Sequence, residues 1–295
     1  MIIIQIRGGL GNQLFTYAFA YSLARKYNKR LIIDRNIYDT SYVLRKYMLD
    51  YFPNITNPFL IKCSPGRNRM FLVVYKLIRK FKIDYLYQAT CIKEEKEFEL
   101  QNIKVCEGNI HLDGYWQNYR YFNEYRDEIK KMFSCSVKIL EGFEVYINVI
   151  KNQSSVAIHI RRGDYVTFNG GECLSTDYYA DAMKYCEDII SNVHFYVFTD
   201  DVQYCKTLFQ NSKNVTFISD MLKTIDIQEF FLMTICSHFI IANSSFSWWA
   251  AYLGEKKDSI VIAPIVDLWT ESFYLDSWIR LNATVENAKT EDNKI

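Results

Sequence analysis

The sequence lacks the patterns that mark common metal and disulfide sites. No two aspartates are separated by a single residue, so the DxD arrangement that usually binds a divalent cation and a diphosphate is absent. The eight cysteines contain no CxxC pair, and none stands at zinc-ligand spacing from another cysteine or from a histidine. We therefore expect reduced, mostly buried thiols, no disulfide framework and no metal cofactor.

Strong charge of one sign and long apolar runs are also missing. The net charge of +1 excludes a global field that would draw the chain to nucleic acid. The longest apolar runs, such as FFLMTICSHFIIA, fall short of the ~20 residues that a membrane-spanning helix needs. The apolar start MIIIQI has no basic leader before it and predicts a strand rather than a signal peptide. We expect a cytoplasmic protein, at most peripheral to the inner membrane.

The chain has ample apolar and aromatic material for packed interiors. Its 295 residues suit two domains of about 150 residues each. A hydrophobic content of 49% excludes a disordered chain. Aromatic residues make up 16%, and although most are expected in the core, such rings also stack on the apolar faces of sugars.

Hydrophobic periodicity divides the chain into two α/β halves. From residue 154 onward, short apolar strands alternate with helical segments, which predicts a parallel, doubly wound sheet. The first half opens with a similar unit, in which strand IIIQI, loop RGGLGNQ, helix LFTYAFAYSLARKYN and strand RLIID follow one another. We expect domains at residues 1–150 and 151–295, with ligands beyond the carboxyl ends of the strands.

The glycine-rich stretch RGGLGNQLF lies between a predicted strand and a predicted helix. Such a turn directs backbone N–H groups and the helix dipole toward an anion. Gly9 and Gly11 fit a dinucleotide fingerprint, but Leu14 stands where the third glycine belongs. Asp34 ends the next strand, where a ribose-binding acid would lie, so an NAD site stays an alternative, as does a plain tight turn. A phosphate or sugar-nucleotide contact is the favoured interpretation.

The stretch HIRRGDY places Arg161 and Arg162 directly after the strand SSVAIHI. A surface salt bridge between Arg162 and Asp164 is the simpler interpretation. However, a guanidinium group binds phosphate oxygens in a bidentate way, and both arginines fall at the ligand-binding edge of the sheet. We expect one arginine to bind phosphate and the other to order the loop through Asp164. His159 points to the same side as Arg161 by strand alternation.

The next strand ends in the acidic pair Asp200 and Asp201. Asp201 is expected to cap the following helix. Asp200 is suited to accept hydrogen bonds from the amidine edge of guanine or from a ribose hydroxyl. With no DxD pair, a leaving diphosphate would have to be stabilised by arginines and helix N-termini.

A third strand end carries the stretch IANSSFSWWAAYLG. Ser244 or Ser245 is expected to N-cap the helix and to leave its first amides facing the ligand. Asn243 would bond either a ligand or the local turn, and Trp248 and Trp249 are expected to pack inside the domain.

Taken together, these motifs resemble the bacterial alpha-1,2-fucosyltransferases of glycosyltransferase family 11. The HxRRxD signature in HIRRGDY is shared by alpha-1,2 and alpha-1,6 fucosyltransferases, and GNQLF joined to NSSFSWWAAYL narrows the resemblance to this family. The matching segments occur in the order typical of the family: GGLGNQLFTYAFAYSLA at 8–24, HLDGYWQNYRYF at 111–122, HIRRGDY at 159–165, FTDD at 198–201 and NSSFSWWAAYLG at 243–254.

The resemblance implies a GT-B-like fold, with two Rossmann-type domains facing a central cleft. The N-terminal domain would form the acceptor side and contribute glycine-turn contacts to the donor, while the C-terminal domain would bind GDP-fucose. The reaction would transfer L-fucose, with inversion and without a metal, to O2 of a terminal galactose on a glycan. A sugar-nucleotide-binding protein of other specificity, or an NAD-type oxidoreductase, remains the alternative.

The resemblance also implies roles for single residues. Arg161 matches the arginine that binds the donor diphosphate, and Arg162 is its partner in the motif. The further donor contacts implied, together with Asn243 from the strand end, are Gly11, Asn12, Asp200 or Asp201, Ser244, Ser245 and Phe246.

The general base is left open among His159, Asp164 and Glu172. The acceptor hydroxyl must lose a proton as the donor C1 gains oxocarbenium character. Glu172 is placed as related alpha-1,6 enzymes place their base, but its surroundings, NGGECLS, do not match theirs. A late proton transfer without a strong base is the remaining possibility.

A basic run without any acid occupies residues 62–82. It forms either a solvated helix face or a contact with an anionic membrane, where a lipid-linked acceptor would lie. The basic residues of this run are Lys62, Arg67, Arg69, Lys76, Arg79, Lys80 and Lys82.

Overall fold

Two α/β units make up the chain, Met1–Ser134 and Cys135–Ile295. The computed structural model describes residues 1–39, 45–55, 83–84, 89–94, 108–166, 172–222, 225–267 and 270–286. The basic run at 62–82, for which membrane contact was predicted, lies outside the described residues. Within the described ranges, no helix combines the length and the apolar character needed to cross a membrane.

The first unit is built on a five-stranded sheet in the order β2-β1-β5-β4-β3, parallel except for the β3–β4 pair. Residues Ile2, Ile3 and Ile4 of the first strand are fully buried, which explains why that strand reads as an unbroken apolar run. The strands are β1 (Ile2–Gln5), β2 (Leu31–Asp34), β3 (Ile83–Asp84), β4 (Ala89–Lys93) and β5 (Asn109–Asp113).

Helix α1 (Leu10–Lys26) connects β1 to β2 and is buried along most of its length. It begins four residues before the predicted start at Leu14, because the turn needs only residues 7–9. Gly8 has φ +76°, a conformation that glycine adopts without steric cost. Gly11 and Asn12 therefore lie in the first turn of the helix and not in the loop where the sequence placed them. Among the described residues of this unit, the next α-helix is α2 (Arg126–Met132).

The second unit contains the predicted parallel sheet, with six strands in the order β12-β11-β10-β6-β8-β9. Strands β7 and β13 form a separate antiparallel pair. The strands are β6 (Ser154–Ile160), β7 (Cys173–Leu174), β8 (Val193–Thr199), β9 (Val215–Phe217), β10 (His238–Ile240), β11 (Val261–Ile265), β12 (Ile279–Asn282) and β13 (Val285–Glu286). The helices are α3 (Glu144–Lys151), α4 (Thr176–Ile189), α5 (Val202–Leu208), α6 (Ile218–Met221), α7 (Asp226–Ile235) and α8 (Ser245–Gly254).

The division between the units falls at residue 134, earlier than the predicted position near residue 150. Helix α3 packs on β6 and α7, both of which belong to the second unit. The Gln228 side chain also donates a hydrogen bond to the carbonyl of Ile139. Residues 135–150 are thus tied to the sheet that follows them.

Most of the aromatic residues of α8 are buried in the core of the second unit. Trp248 and Trp249 are fully buried, which confirms that they pack inside the domain. The Trp248 indole N–H donates to the carbonyl of Phe273 at 2.7 Å, so its polar atom is satisfied. Five of the six described cysteines are buried, as the sequence predicted.

The strand order creates a switch point at the carboxyl ends of β6 and β10, which are neighbours. The chain leaves β6 through α4 toward β8 on one side, and leaves β10 through α8 toward β11 on the other. Connections that diverge in this way open a crevice where ligands bind in doubly wound sheets. Arg161 and Arg162 follow β6 at this point, and Asn243 lies three residues past the end of β10.

Candidate active site

The register of β6 against β8 brings the two arginines to the two aspartates. Ile160 lies opposite Thr199 in this parallel pair, so the residues that follow, Arg161 and Asp200, leave the sheet side by side. The Arg161 Nη1 atom lies 2.7 Å from Asp200 Oδ2, and its Nη2 atom lies 2.5 Å from Asp164 Oδ1. The guanidinium plane is thus held on two edges while the side chain stays 22% exposed.

Asp200 also fixes the backbone of the loop after β6. Its Oδ1 atom accepts hydrogen bonds from the backbone N–H groups of Arg162 at 2.8 Å and Gly163 at 3.1 Å. A Cβ atom on Gly163 would lie 2.4 Å from Asp200 Oδ2, so only glycine allows this approach. The contact with guanine that the resemblance implies for Asp200 stays a prediction, because here both carboxylate oxygens bind the arginine loop.

Arg162 is held by a second set of partners. Its Nε atom lies 3.1 Å from Asp201 Oδ2, and its Cζ atom lies 3.5 Å from the centroid of the Tyr204 ring. The other oxygen of Asp201 accepts the backbone N–H of Tyr204, which confirms Asp201 as the N-cap of α5. The side chain of Arg162 thus pairs with Asp201. Asp164 pairs with Arg161, so the salt bridge between Arg162 and Asp164 that the sequence suggested is wrong.

His159 lies beneath this loop, at the end of β6. Its ring centroid is 5.5 Å from that of Phe246, which in turn packs on Phe230. Burial, reinforced by the positive charge of Arg161, lowers the pKa of His159 to about 3. Within the described part of the chain its Nδ1 atom is buried without a hydrogen-bond partner. His159 is therefore a neutral imidazole of low basicity at neutral pH.

Asn243 joins the loop after β10 to the segment that carries Glu172. Its Nδ2 atom donates to the carbonyl of Glu172 at 3.1 Å, and its own carbonyl accepts a hydrogen bond from Tyr165 at 3.3 Å. The Oδ1 atom of Asn243 is buried and has no partner among the described residues. Asn243 therefore bonds the local turn, and its contact with a ligand stays a prediction.

The N-terminus of α8 is capped as predicted. Ser244 is the N-cap, and its hydroxyl accepts the backbone N–H of Phe246 at 3.3 Å. Ser245 is the first helical residue. These two serines and Phe246 thus surround the first turn of the helix, next to the buried ring of His159.

The glycine turn forms a separate polar cluster within the first unit. The carbonyl of Gly8 accepts hydrogen bonds from Gln13 at 3.0 Å and from the Tyr38 hydroxyl at 2.7 Å. The Asn12 Oδ1 atom accepts a hydrogen bond from the Gln117 side chain at 2.8 Å. Gly11 is buried beside them in the first turn of α1. Side-chain hydrogen bonds brace this turn, and its contact with a donor stays a prediction.

Several residues that shape the site were not predicted from sequence. Tyr204 and Tyr165 provide rings beside the two arginines, and Gly163 makes room for Asp200. Tyr204 stands at the third position after a helix cap, but nothing in that spacing indicates a cation partner. Among the described residues, no group of three or more His, Cys, Asp or Glu side chains could hold a metal ion.

The neutral state of His159 predicts an acid-sensitive fold. Between its ordinary pKa of 6.5 and its folded value of about 3, the unfolded chain binds a proton that the folded chain does not. The free energy of unfolding therefore decreases as the pH falls through this window. Going from about pH 7.5 to about pH 5.5, the wild type should lose about 1 kcal/mol more than His159→Gln. Urea unfolding at both pH values measures this, and an equal loss in both proteins would contradict it.

Comparison with known proteins shows which family this sequence matches. Residues 1–282 match the model of the family described as Glycosyl transferase family 11. An alpha-1,2-colitosyltransferase of Escherichia coli is 31% identical, with 95% of this chain and 99% of the relative covered. The O-antigen biosynthesis glycosyltransferase WbnK of Escherichia coli is 30% identical over 94% of this chain and 99% of its own length. The galactoside 2-alpha-L-fucosyltransferase Sec1 of Mus musculus is 23% identical over 98% and 76%.

A solved structure supports the fold. A mutant of Arabidopsis thaliana FUT1 in complex with GDP matches with a TM-score of 0.52 at 13% identity, covering 88% of this chain and 70% of that one. At this identity the likeness shows the fold alone, and it confirms the predicted GT-B-like α/β class. With the family match spanning nearly the whole sequence, the chain belongs to glycosyl transferase family 11.

Proposed function

We propose that this enzyme transfers L-fucose from GDP-fucose, with inversion, to O2 of a terminal galactose on a glycan. The observation that carries the proposal is the pair Arg161 and Arg162 at the switch point, where aspartate side chains hold both guanidinium groups. Two guanidinium groups on an ordered loop fit a nucleotide diphosphate. Family membership and the name of the Sec1 relative support fucose and galactose as the sugars.

The chemistry requires stabilisation of a leaving diphosphate. As the C1–O bond of the donor breaks, negative charge grows on the diphosphate and positive charge grows at C1. Arg161 is the more exposed of the two arginines and is proposed to bind the developing charge. Arg162 lies against Tyr204 and holds the loop in place while its positive charge adds to the local field.

The remaining groups that we propose to contact the donor also lie beyond the carboxyl ends of strands. The capped first turn of α8 presents backbone amides suited to an anion or a ribose. The orphan Oδ1 atom of Asn243 would accept a hydrogen bond from the nucleotide. In the first unit, Gly11 and Asn12 lie in the first turn of α1, which offers the same chemistry.

The acceptor hydroxyl must give up a proton as the new bond forms. His159, with a pKa of about 3, takes up little proton at neutral pH, so we assign it a neutral hydrogen-bonding role. One of the two carboxylates, Asp164 or Glu172, is proposed to accept the proton. Asp164 is half exposed and is paired with Arg161. Because inversion requires the acceptor to approach C1 from the face opposite the diphosphate, the carboxylate that accepts the proton must lie on that face.

The decisive experiment is product analysis with GDP-fucose and a panel of galactosides. A product fucosylated at O2 of galactose is expected, and a 2-deoxygalactoside should give none. Thermal shifts with GDP, UDP and NAD provide a test without turnover, in which GDP alone should stabilise the protein. Stabilisation by NAD and not by GDP would refute the proposal in favour of an oxidoreductase.

Colitosyl transfer is the second candidate, because the Escherichia coli relative at 31% identity is named a colitosyltransferase. Colitose is L-fucose without the hydroxyl at C3, so a diphosphate site cannot tell the two donors apart. Comparing kcat/KM for the GDP derivatives of the two sugars decides between them. A clear preference for the colitose donor would replace fucose in the proposal and leave the diphosphate site unchanged.

Activity should not depend on a divalent metal. The two arginines supply the positive charge that a metal bound to DxD supplies in other glycosyltransferases, and this chain has no DxD pair. We expect the rate in excess EDTA to equal the rate in magnesium or manganese. Loss of turnover in EDTA, restored by adding the metal back, would contradict the assignment of charge stabilisation to the arginines.

A further inference from the structure

The loop after β5, residues 113–118, has an unusual backbone. Trp116 adopts φ +55°, a conformation rare for a large side chain. The Trp116 ring is fully buried and stacks on Phe19 with a centroid distance of 4.3 Å. Burial of this ring compensates for the unfavourable backbone, an arrangement that is found most often at functional sites.

The same loop is held by two hydrogen bonds. The backbone N–H of Tyr115 donates to Glu94 Oε2 at 2.7 Å. The Gln117 side chain donates to Asn12 in the first turn of α1. At Gly114 a Cβ atom would lie 2.4 Å from the Cβ of Glu94. Side-chain contacts therefore brace the backbone of the loop.

On this braced backbone the Tyr115 side chain points outward, and the residue is 41% exposed. The Arg7 guanidinium carbon lies 5.9 Å from its ring centroid. Arg7 forms an ion pair with Asp113 and donates to Gln5, while its Nε atom is buried without a partner in the described part of the chain. An exposed ring thus stands next to a guanidinium–carboxylate pair.

These groups together suit a sugar ring. An aromatic face covers the C–H groups of a pyranose, while a carboxylate and a guanidinium bind its hydroxyls. Galactose fits well because its axial O4 leaves the C–H groups of C3, C4 and C5 on one face. The position of these groups also fits a ligand site, since Tyr115 and Arg7 follow the adjacent parallel strands β5 and β1 at their carboxyl ends.

We propose that Tyr115 is the stacking platform for the acceptor galactose and that the Arg7–Asp113 pair binds its hydroxyl groups. This inference rests on the proposed function, because it names the residues that receive the sugar acceptor. A single exposed tyrosine is ordinary on a protein surface. Here the strained, braced backbone and the adjacent ion pair distinguish it.

The test compares Tyr115→Ala and Tyr115→Phe with Tyr51→Ala. Tyr51 is a matched control, because it lies in the same unit with the same 41% exposure. We expect Tyr115→Ala to raise the acceptor KM about tenfold through loss of the stacked ring, with the donor KM and kcat within about twofold. Tyr115→Phe keeps the ring and should stay near wild type, as should Tyr51→Ala. An unchanged acceptor KM in Tyr115→Ala, or a change in the donor KM instead, overturns the assignment.

A binding measurement separates this proposal from the proposed function. Saturation-transfer NMR with the galactoside panel and no donor should show acceptor signals with wild type and Tyr51→Ala and weak signals with Tyr115→Ala. A wild type that transfers no fucose would refute the proposed function, but the NMR comparison would still decide the role of Tyr115. Equal signals from wild type and Tyr115→Ala, or none from wild type, would refute the stacking platform. Equal melting temperatures show that the variants are folded.

Discussion

Replacing Arg161 with alanine should lower kcat by about 10²- to 10³-fold, the loss that follows removal of one preorganised charge-stabilising donor. Arg161 is the arginine whose guanidinium is held on two edges, by Asp164 and Asp200, without being buried. It can therefore meet the diphosphate in a fixed orientation. The effect should fall on kcat more than on KM, because the negative charge grows in the transition state.

Arg161→Lys is the matched control for this prediction. Lysine keeps the positive charge but lacks the planar fork, so it should recover only part of the lost rate. Steady-state kinetics with GDP-fucose and a galactoside measure both variants. Wild-type turnover in Arg161→Ala would show that the leaving diphosphate is stabilised elsewhere.

The second large effect is expected at Asp200, which holds the loop without needing to touch the donor. Asp200→Ala leaves two backbone N–H groups without their acceptor and removes one partner of Arg161. We expect about a 10- to 100-fold loss of kcat because the fork of Arg161 is no longer oriented. The free energy of unfolding should fall by about 1 kcal/mol, as these hydrogen bonds are partly exposed.

Asp200→Asn separates the effect of Asp200 on stability from its effect on kcat. Its amide oxygen can still accept both backbone hydrogen bonds, so stability should be close to wild type while kcat stays reduced by loss of the ion pair. Asp181→Ala, an exposed aspartate on α4, controls for removal of a surface carboxylate. Chemical denaturation and steady-state kinetics measure the two effects. If Asp200→Ala raised only the KM for GDP-fucose, Asp200 would contact the nucleotide directly, as the family resemblance implies.

Much of the fold could be predicted from sequence because local pattern and burial agree. Strand β6 was predicted with its observed bounds, since four of its seven residues are apolar and all but Ser154 are buried. Strand β12 was missed, because IRLN is short, half exposed and interrupted by Arg280. The start of α1 was misplaced since glycine and asparagine usually mark loops, whereas Gly11 and Asn12 here are held in a helix by packing.

The candidate site was also predictable only in part. By itself, the sequence determined that two arginines, two aspartates and a capped helix stand at the ends of strands, because apolar runs end where charge begins. Only the tertiary structure decided which groups meet. Asp200 lies 38 residues from Arg162 in the chain, and it reaches the loop because β6 and β8 pair in parallel with Ile160 opposite Thr199. A shift of one residue in that register would place different residues of β8 opposite each arginine. Such a register depends on packing across the whole sheet.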